Sequence, residues 1–161
     1  MVDKNEIMRL FLTHFTASGD ISIDDEGLVS VAGNVSLLQN SKVKRLPVSF
    51  KKVDGDFWCN NNQLTTLEGT PNSVGRRFFC WNNPLTTLEG MPTQLLSLRL
   101  SYSPTLPLLR SLYAKKIDFW PELDDKTLEK ILNTYAGQGE AGAFACGAEL
   151  ATAGFKENAR W

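Results

Sequence analysis

The chain has 161 residues, a hydrophobic fraction of 42%, a charged fraction of 22% and a formal net charge of -1. These values sit near globular averages and argue against wholesale disorder. The near-zero charge gives no general attraction to nucleic-acid backbones or anionic membranes.

In chain order, residues 4–15 place Ile7, Leu10, Phe11 and Phe15 on one helical face. The acidic and basic residues of the first nine positions leave no room for the apolar run of a signal peptide. No segment approaches the roughly 20 apolar residues that span a bilayer. From 21 to 37 apolar and polar residues alternate, punctuated by Gly27 and Gly33, which predicts a short strand or hairpin. Val35, Leu37 and Asn40 then show, in weak form, a spacing that recurs downstream, with Leu46 one residue late.

The recurrence is explicit in two ungapped segments, VDGDFWCNNNQLTTLEGTPNS at 53–73 and VGRRFFCWNNPLTTLEGMPTQ at 74–94. Their offset is 21 residues throughout, pairing Phe57 with Phe78, Cys59 with Cys80, Asn62 with Asn83, Leu64 with Leu85 and Leu67 with Leu88. Leu98, Leu100 and Ser103 form a further degraded copy. One repeat per coil predicts strands stacked in parallel, with Phe57 on Phe78 inside. Gly69, Gly75 and Gly90 are assigned to unusual backbone angles, and Pro71 and Pro92 to stiffening the return arc.

Beyond the repeats, 124–135 reads as a helix burying Leu128, Ile131 and Leu132, begun by Asp124 or Asp125 and ended by Gly137. The Ala-rich stretch 141–153 reads as a second helix. In the tail, Phe155 and Trp161 either pack back onto the helices or form a docking peptide.

The pattern Phe57-x-Cys59-x-x-Asn62-x-Leu64-x-x-Leu67, repeated from Phe78 to Leu88, resembles the leucine-rich repeat family. Phe and Cys stand where that family usually has Leu. The segments also look like small repeat proteins of large tailed bacteriophages. The family resemblance implies a ladder of Asn40, Asn62 and Asn83 that satisfies backbone groups of neighbouring turns. The expected fold is α+β: a short leucine-rich-repeat-like solenoid of about four turns at 34–112, an N-terminal helix and β cap at 1–33, and a C-terminal helical cap at 113–161, all one folding unit. A short solenoid needs both ends sealed.

Alternation along the strands places three columns outward: Asn34, Asp56, Arg77 and Ser97; Ser36, Trp58, Phe79 and Arg99; Leu38, Asn60, Trp81 and Ser101. Trp58, Phe79 and Trp81 thus stand together, edged by Asp56, Arg77 and Arg99, a composition typical of interface hot spots. These six residues are the expected partner-binding set. The alternatives are a terminal segment folded over the face and an oligomer contact through it. Base stacking beside Arg76, Arg77, Arg99, Lys51 and Lys52 is a further use of such rings, but no basic stripe accompanies them.

Catalysis finds little footing. His14 is the sole histidine, Cys59 and Cys80 are expected inside, and Cys146 falls in the Ala-rich helix. Glu122, Asp124 and Asp125 fit helix capping better than a metal, and GQGEAG lacks the strand and the Lys-Ser/Thr of a phosphate loop. An odd number of cysteines suggests a reducing compartment. The expectation is a non-catalytic protein-interaction module without metal or cofactor, placed in the cytoplasm and taking neither membrane nor nucleic acid. The phage resemblance implies a binder or inhibitor of a host defence protein, acting in the host cytoplasm. The alternative is a structural protein that homo-oligomerises through the aromatic face.

Overall fold

The computed structural model describes residues 2–161. Asp3 starts the first helix, α1 (Lys4–His14), by accepting hydrogen bonds from the N–H groups of Asn5 and Glu6. Phe15 leaves the helix as the first residue of β1 (Phe15–Ala17). The alternating segment forms the hairpin β2 (Ile21–Ile23) and β3 (Val29–Val31), paired antiparallel. Asp24 shapes its loop by accepting from the N–H groups of Glu26 and Leu28.

The chain then coils. The strands are β4 (Val35–Leu37), β5 (Phe50–Val53), β6 (Phe57–Trp58), β7 (Ser73–Val74), β8 (Arg77–Phe79) and β9 (Leu95–Leu100). A 3-10 turn at Leu109–Tyr113 leads into β10 (Ala114–Phe119), followed by α2 (Thr127–Thr134) and α3 (Glu140–Thr152). A six-stranded sheet runs β1-β4-β6-β8-β9-β10 and a four-stranded sheet runs β2-β3-β5-β7. All coil-to-coil pairings are parallel, whereas β1 and β2 join antiparallel at the first coil. The result is an α+β molecule built on a parallel β-solenoid of about four turns.

Each of the first three coils supplies a strand to both sheets and bends sharply between them. The bend brings stacked backbones closer than a side chain allows. A Cβ on Gly55 would lie 2.2 Å from Asn34 Oδ1, and one on Gly75 2.0 Å from the Asp54 carbonyl oxygen. Gly75 is therefore required for close approach rather than for an unusual backbone angle, the reason its sequence context suggested. Gly69 and Gly90 do adopt left-handed angles, with φ of 86° and 84°. They close the repeated LTTLEG segment, in which Thr66 and Thr87 hydroxyls accept from the N–H groups of Glu68 and Glu89.

Inside, Phe57 pairs with Phe78 and both are fully buried. A run of touching rings extends this column to the N-terminus: Phe11 stacks on Phe15, and both contact Phe50, which meets Phe57 edge-on at 5.2 Å. One hydrophobic core runs from Phe11 through the coils to Cys146 and Leu150 of α3.

Two asparagines tie neighbouring coils together. Asn83 Oδ1 accepts from the Leu64 N–H at 3.0 Å, and its Nδ2 donates to the carbonyls of Cys59 and Cys80 at 2.9 and 3.0 Å. Asn62 Oδ1 accepts from the N–H and hydroxyl of Ser41, while its Nδ2 donates to the carbonyls of Cys59 and Asn60. Asn40 stands outside this ladder. It is exposed and has φ of 57°, the left-handed conformation also taken by Asn61 and Asn82. The first coil carries one more residue between strand and turn: Val35 pairs with Phe57, yet it is Asn40 and Asn61 that share the turn conformation. The extra residue moves Asn40 out of the ladder register.

The segment 113–161 also differs from the helical reading. It opens with a strand, β10, which extends the six-stranded sheet by pairing Ile117 with Leu98 and Phe119 with Leu100. In α2, Leu128, Ile131 and Leu132 are buried as expected. Asp125 accepts from the N–H and hydroxyl of Thr127, although Lys126 occupies the cap position. Gly137 (φ 82°) turns the chain toward α3 and donates its N–H to the carbonyls of Leu112 and Ala114. The tail packs back: the buried Asn158 donates to the carbonyls of Ser103 and Leu106, and Trp161 rests on Tyr113 at 5.7 Å.

Asn83→Ala removes both halves of an inter-coil bridge and strands buried backbone groups. It is expected to lower unfolding free energy by about 2–4 kcal/mol in urea titration, whereas Asn40→Gly, at an exposed left-handed position, changes it by less than about 1 kcal/mol.

Candidate functional site

The outward face of the six-stranded sheet collects the chemistry-bearing residues. The pairing of β4, β6, β8 and β9 stacks Ser36, Trp58, Phe79 and Arg99 in one column, and β10 adds Asp118 next to Arg99. Trp58 lies parallel to Phe79 with centroids 5.8 Å apart and planes at 16°. Trp81 meets Phe79 edge-on at 5.2 Å, and Trp120 follows at 6.5 Å from Trp81. Four rings thus cross the coils in one row. The expected trio is brought together, and Trp120 extends it. Its sequence signal is Ile117-x-Phe119, an apolar-x-apolar copy that puts Trp120 where Trp81 and Ser101 stand on earlier coils.

Two of the expected contact residues have other roles. Phe79 is only 7% exposed. The guanidinium groups of Arg77 and Arg99 lie over it at 5.3 and 5.9 Å, and Trp58 and Trp81 flank it. Phe79 is the base of the row rather than part of its outer surface. Asp56 is buried at 3% exposure. Its carboxylate accepts from the Arg77 backbone N–H at 3.0 Å, from Nε at 3.1 Å and from Nη2 at 2.7 Å. Asn34 Oδ1 in turn accepts from the Asp56 N–H. The column of Asn34 and Asp56 is therefore a second inter-coil ladder at the sheet bend, and Asp56 orients Arg77 across the ring of Phe79.

Trp58 and Trp81 are half-buried, and Leu38 and Trp120 are 43% and 48% exposed. A hollow flanks each end of the row. One, of about 250 Å³, lies between β1 and β4 against Trp58. The other, of about 200 Å³, is lined by Arg99, Asp118, Trp120, Glu122, Lys126 and Glu129. The C-terminal tail lies elsewhere, against Ser103–Leu106 and Tyr113.

Burial, the largest single influence on Asp56, pushes its carboxyl up. The side-chain and backbone hydrogen bonds and charge of Arg77, with the charge of Arg76, outweigh it and hold the group below the ordinary carboxylate value. The thiols shift the other way. Burial pushes Cys59 well up, Cys80 up to about 12 and Cys146 up to about 11. None is a nucleophile near neutrality. Among the described residues no group of three or more His, Cys, Asp or Glu side chains is placed to hold a metal ion, and no helix is long and apolar enough to cross a membrane.

No protein-family model, curated protein or solved structure matches the chain.

A carboxyl depressed in the folded state contributes stability that is complete above its unfolded pKa of about 3.9 and is lost as pH falls through the folded value. Asp56→Asn is expected to cost about 1–2 kcal/mol at pH 7, with Arg77 half in solvent, and to flatten the decline of stability below about pH 4 in acid titrations followed by circular dichroism. At pH 8 only about one in a thousand to one in ten thousand of the Cys146 and Cys80 side chains is thiolate. The native protein should leave a chromogenic disulfide reagent unreacted, and urea should release all three thiols.

Proposed function

We propose that the chain is a leucine-rich-repeat-like solenoid, capped by α1 with β1 and β2 at one end and by α2 and α3 at the other, that works as a non-catalytic protein-interaction module. Its docking surface is the outward face of the six-stranded sheet. The observation that carries this reading is the row Trp58–Phe79–Trp81–Trp120, with its two outermost supports, Arg77 and Arg99, laid over the buried Phe79. Rings and arginines are the residue types that dominate binding energy at interfaces. Rings fixed on a parallel sheet lose little conformational freedom when a partner arrives.

The resemblance to small phage repeat proteins supports a partner in the host cell, such as a defence protein, with the chain acting as its binder or inhibitor in the host cytoplasm. A non-enzymatic role is supported by the chemistry of the side chains themselves. The thiols are buried and protonated, and the buried acid Asp56 is committed to Arg77.

Trp58→Ala combined with Trp81→Ala removes two of the three outer rings while leaving the buried columns intact. The double variant is expected to lose capture of the partner in affinity purification from the producing cells, with an unchanged far-ultraviolet circular dichroism spectrum. Undiminished capture overturns the reading. Light scattering of the wild-type chain is expected to give a monomer of 17.9 kDa; a dimer that the same substitutions dissociate replaces the module by a homo-oligomeric structural role.

A further inference from the structure

The outward face holds one guanidinium whose inner donor has no hydrogen-bond acceptor among the described residues. Its charged positions are Asp56, Arg77, Arg99, Lys116 and Asp118, and the hollow beside Arg99 adds Glu122, Lys126 and Glu129. Asp56 is bound by Arg77 at 2.7 Å, and Asp118 lies 3.3 Å from Lys116. Arg99 is left 3.8 Å from Asp118, beyond hydrogen-bond distance. Its Nε is buried and has no hydrogen-bond partner among the described residues. A buried donor without an acceptor is unfavourable, and the deficit is removed when an acceptor arrives. The group is still reachable, because the Arg99 side chain is 39% exposed. A modest outward turn of the guanidinium from the ring of Phe79 presents its Nε–Nη edge to a planar acceptor, the geometry in which arginine binds carboxylates by two parallel hydrogen bonds.

The surroundings set the orientation. Glu122 and Glu129 line the same hollow as Arg99 and Trp120, where they share Lys126 at 3.6 Å each. The acids Asp118, Glu122 and Glu129 of that hollow repel an incoming carboxylate, which therefore reaches Arg99 from the side of Arg77, with its neighbour on Trp81 and Trp120. Resting on the reading of this face as a protein-docking surface, we infer that its partner is an acidic-apolar protein segment, with one Asp or Glu side chain seated on Arg99 and an adjacent aromatic or large aliphatic residue against Trp81 and Trp120.

Selection of random dodecamer peptides on the immobilised full-length chain, followed by titration of synthetic winners through tryptophan fluorescence, tests this. Winners are expected to carry Asp or Glu within three residues of an aromatic or Leu. Neutralising that acid should weaken binding to the wild type about tenfold or more, yet leave affinity for the Arg99→Gln variant unchanged; Arg99→Lys should fall between. Uncharged or basic winners, or additive effects of the two changes, overturn the inference. If such winners still lose binding to Trp81→Ala, the docking face survives without its acidic partner. Winners indifferent to Trp58→Ala and Trp81→Ala overturn both readings. Oligothymidine binding more tightly than any winner replaces the acidic segment with a nucleic acid.

Discussion

The architecture depends on side chains from one coil closing hydrogen bonds on the backbone of the next. Parallel strands of two or three residues, such as β6 and β7, make too few ladder bonds to hold their own register. Asn62 and Asn83 on one side of the coil, and Asn34 and Asp56 on the other, supply what the strands lack. Each bridge is buried or half-buried, where a missed hydrogen bond is costly, so each permits one offset between coils. Gly55 and Gly75 serve the same end by letting adjacent bends touch. The row of rings on the face is a consequence of that fixed offset: it places Trp58 over Phe79 and leaves room for Trp81 at the edge of the same ring.

Much of this was legible because the duplication is strict. A constant offset of 21 residues decides which side chains share a column, and alternation decides which side each occupies, so Phe57 and Phe78 inside and Trp58 and Trp81 outside follow directly. The departures arise where the period slips. One added residue after Leu37 removes Asn40 from the ladder, a slip whose sequence trace is that Leu46 falls one residue late. Strand β10 repeats at a shorter interval than its neighbours, and Lys115 and Lys116 mask its alternation, so the sequence pattern assigns the last coil and Trp120 to a helical segment.

Direction and exposure are separate properties. Alternation correctly aims Phe79 and Asp56 away from the core. It says nothing about long neighbours folding down over them. Arg77 and Arg99 close over Phe79, and the backbone and guanidinium of Arg77 enclose Asp56. The contacts of Arg99 with Phe79 and of Arg77 with Asp56 lie between coils, about 20 residues apart in sequence, that of Arg77 with Phe79 lies within β8, and all depend on rotamers that a linear pattern does not encode.

The burial of Phe79 has a consequence for how such a surface changes over time. Because the ring beneath sets the spacing and tilt of what rests on it, the residues above can be exchanged without rebuilding the sheet. Substitutions at Trp58 or Trp81 change the outer chemistry of the face while the ring under them stays put. Surface chemistry and architecture are thereby assigned to different layers of one face, leaving the outer layer free to vary without disturbing the stacking of the coils.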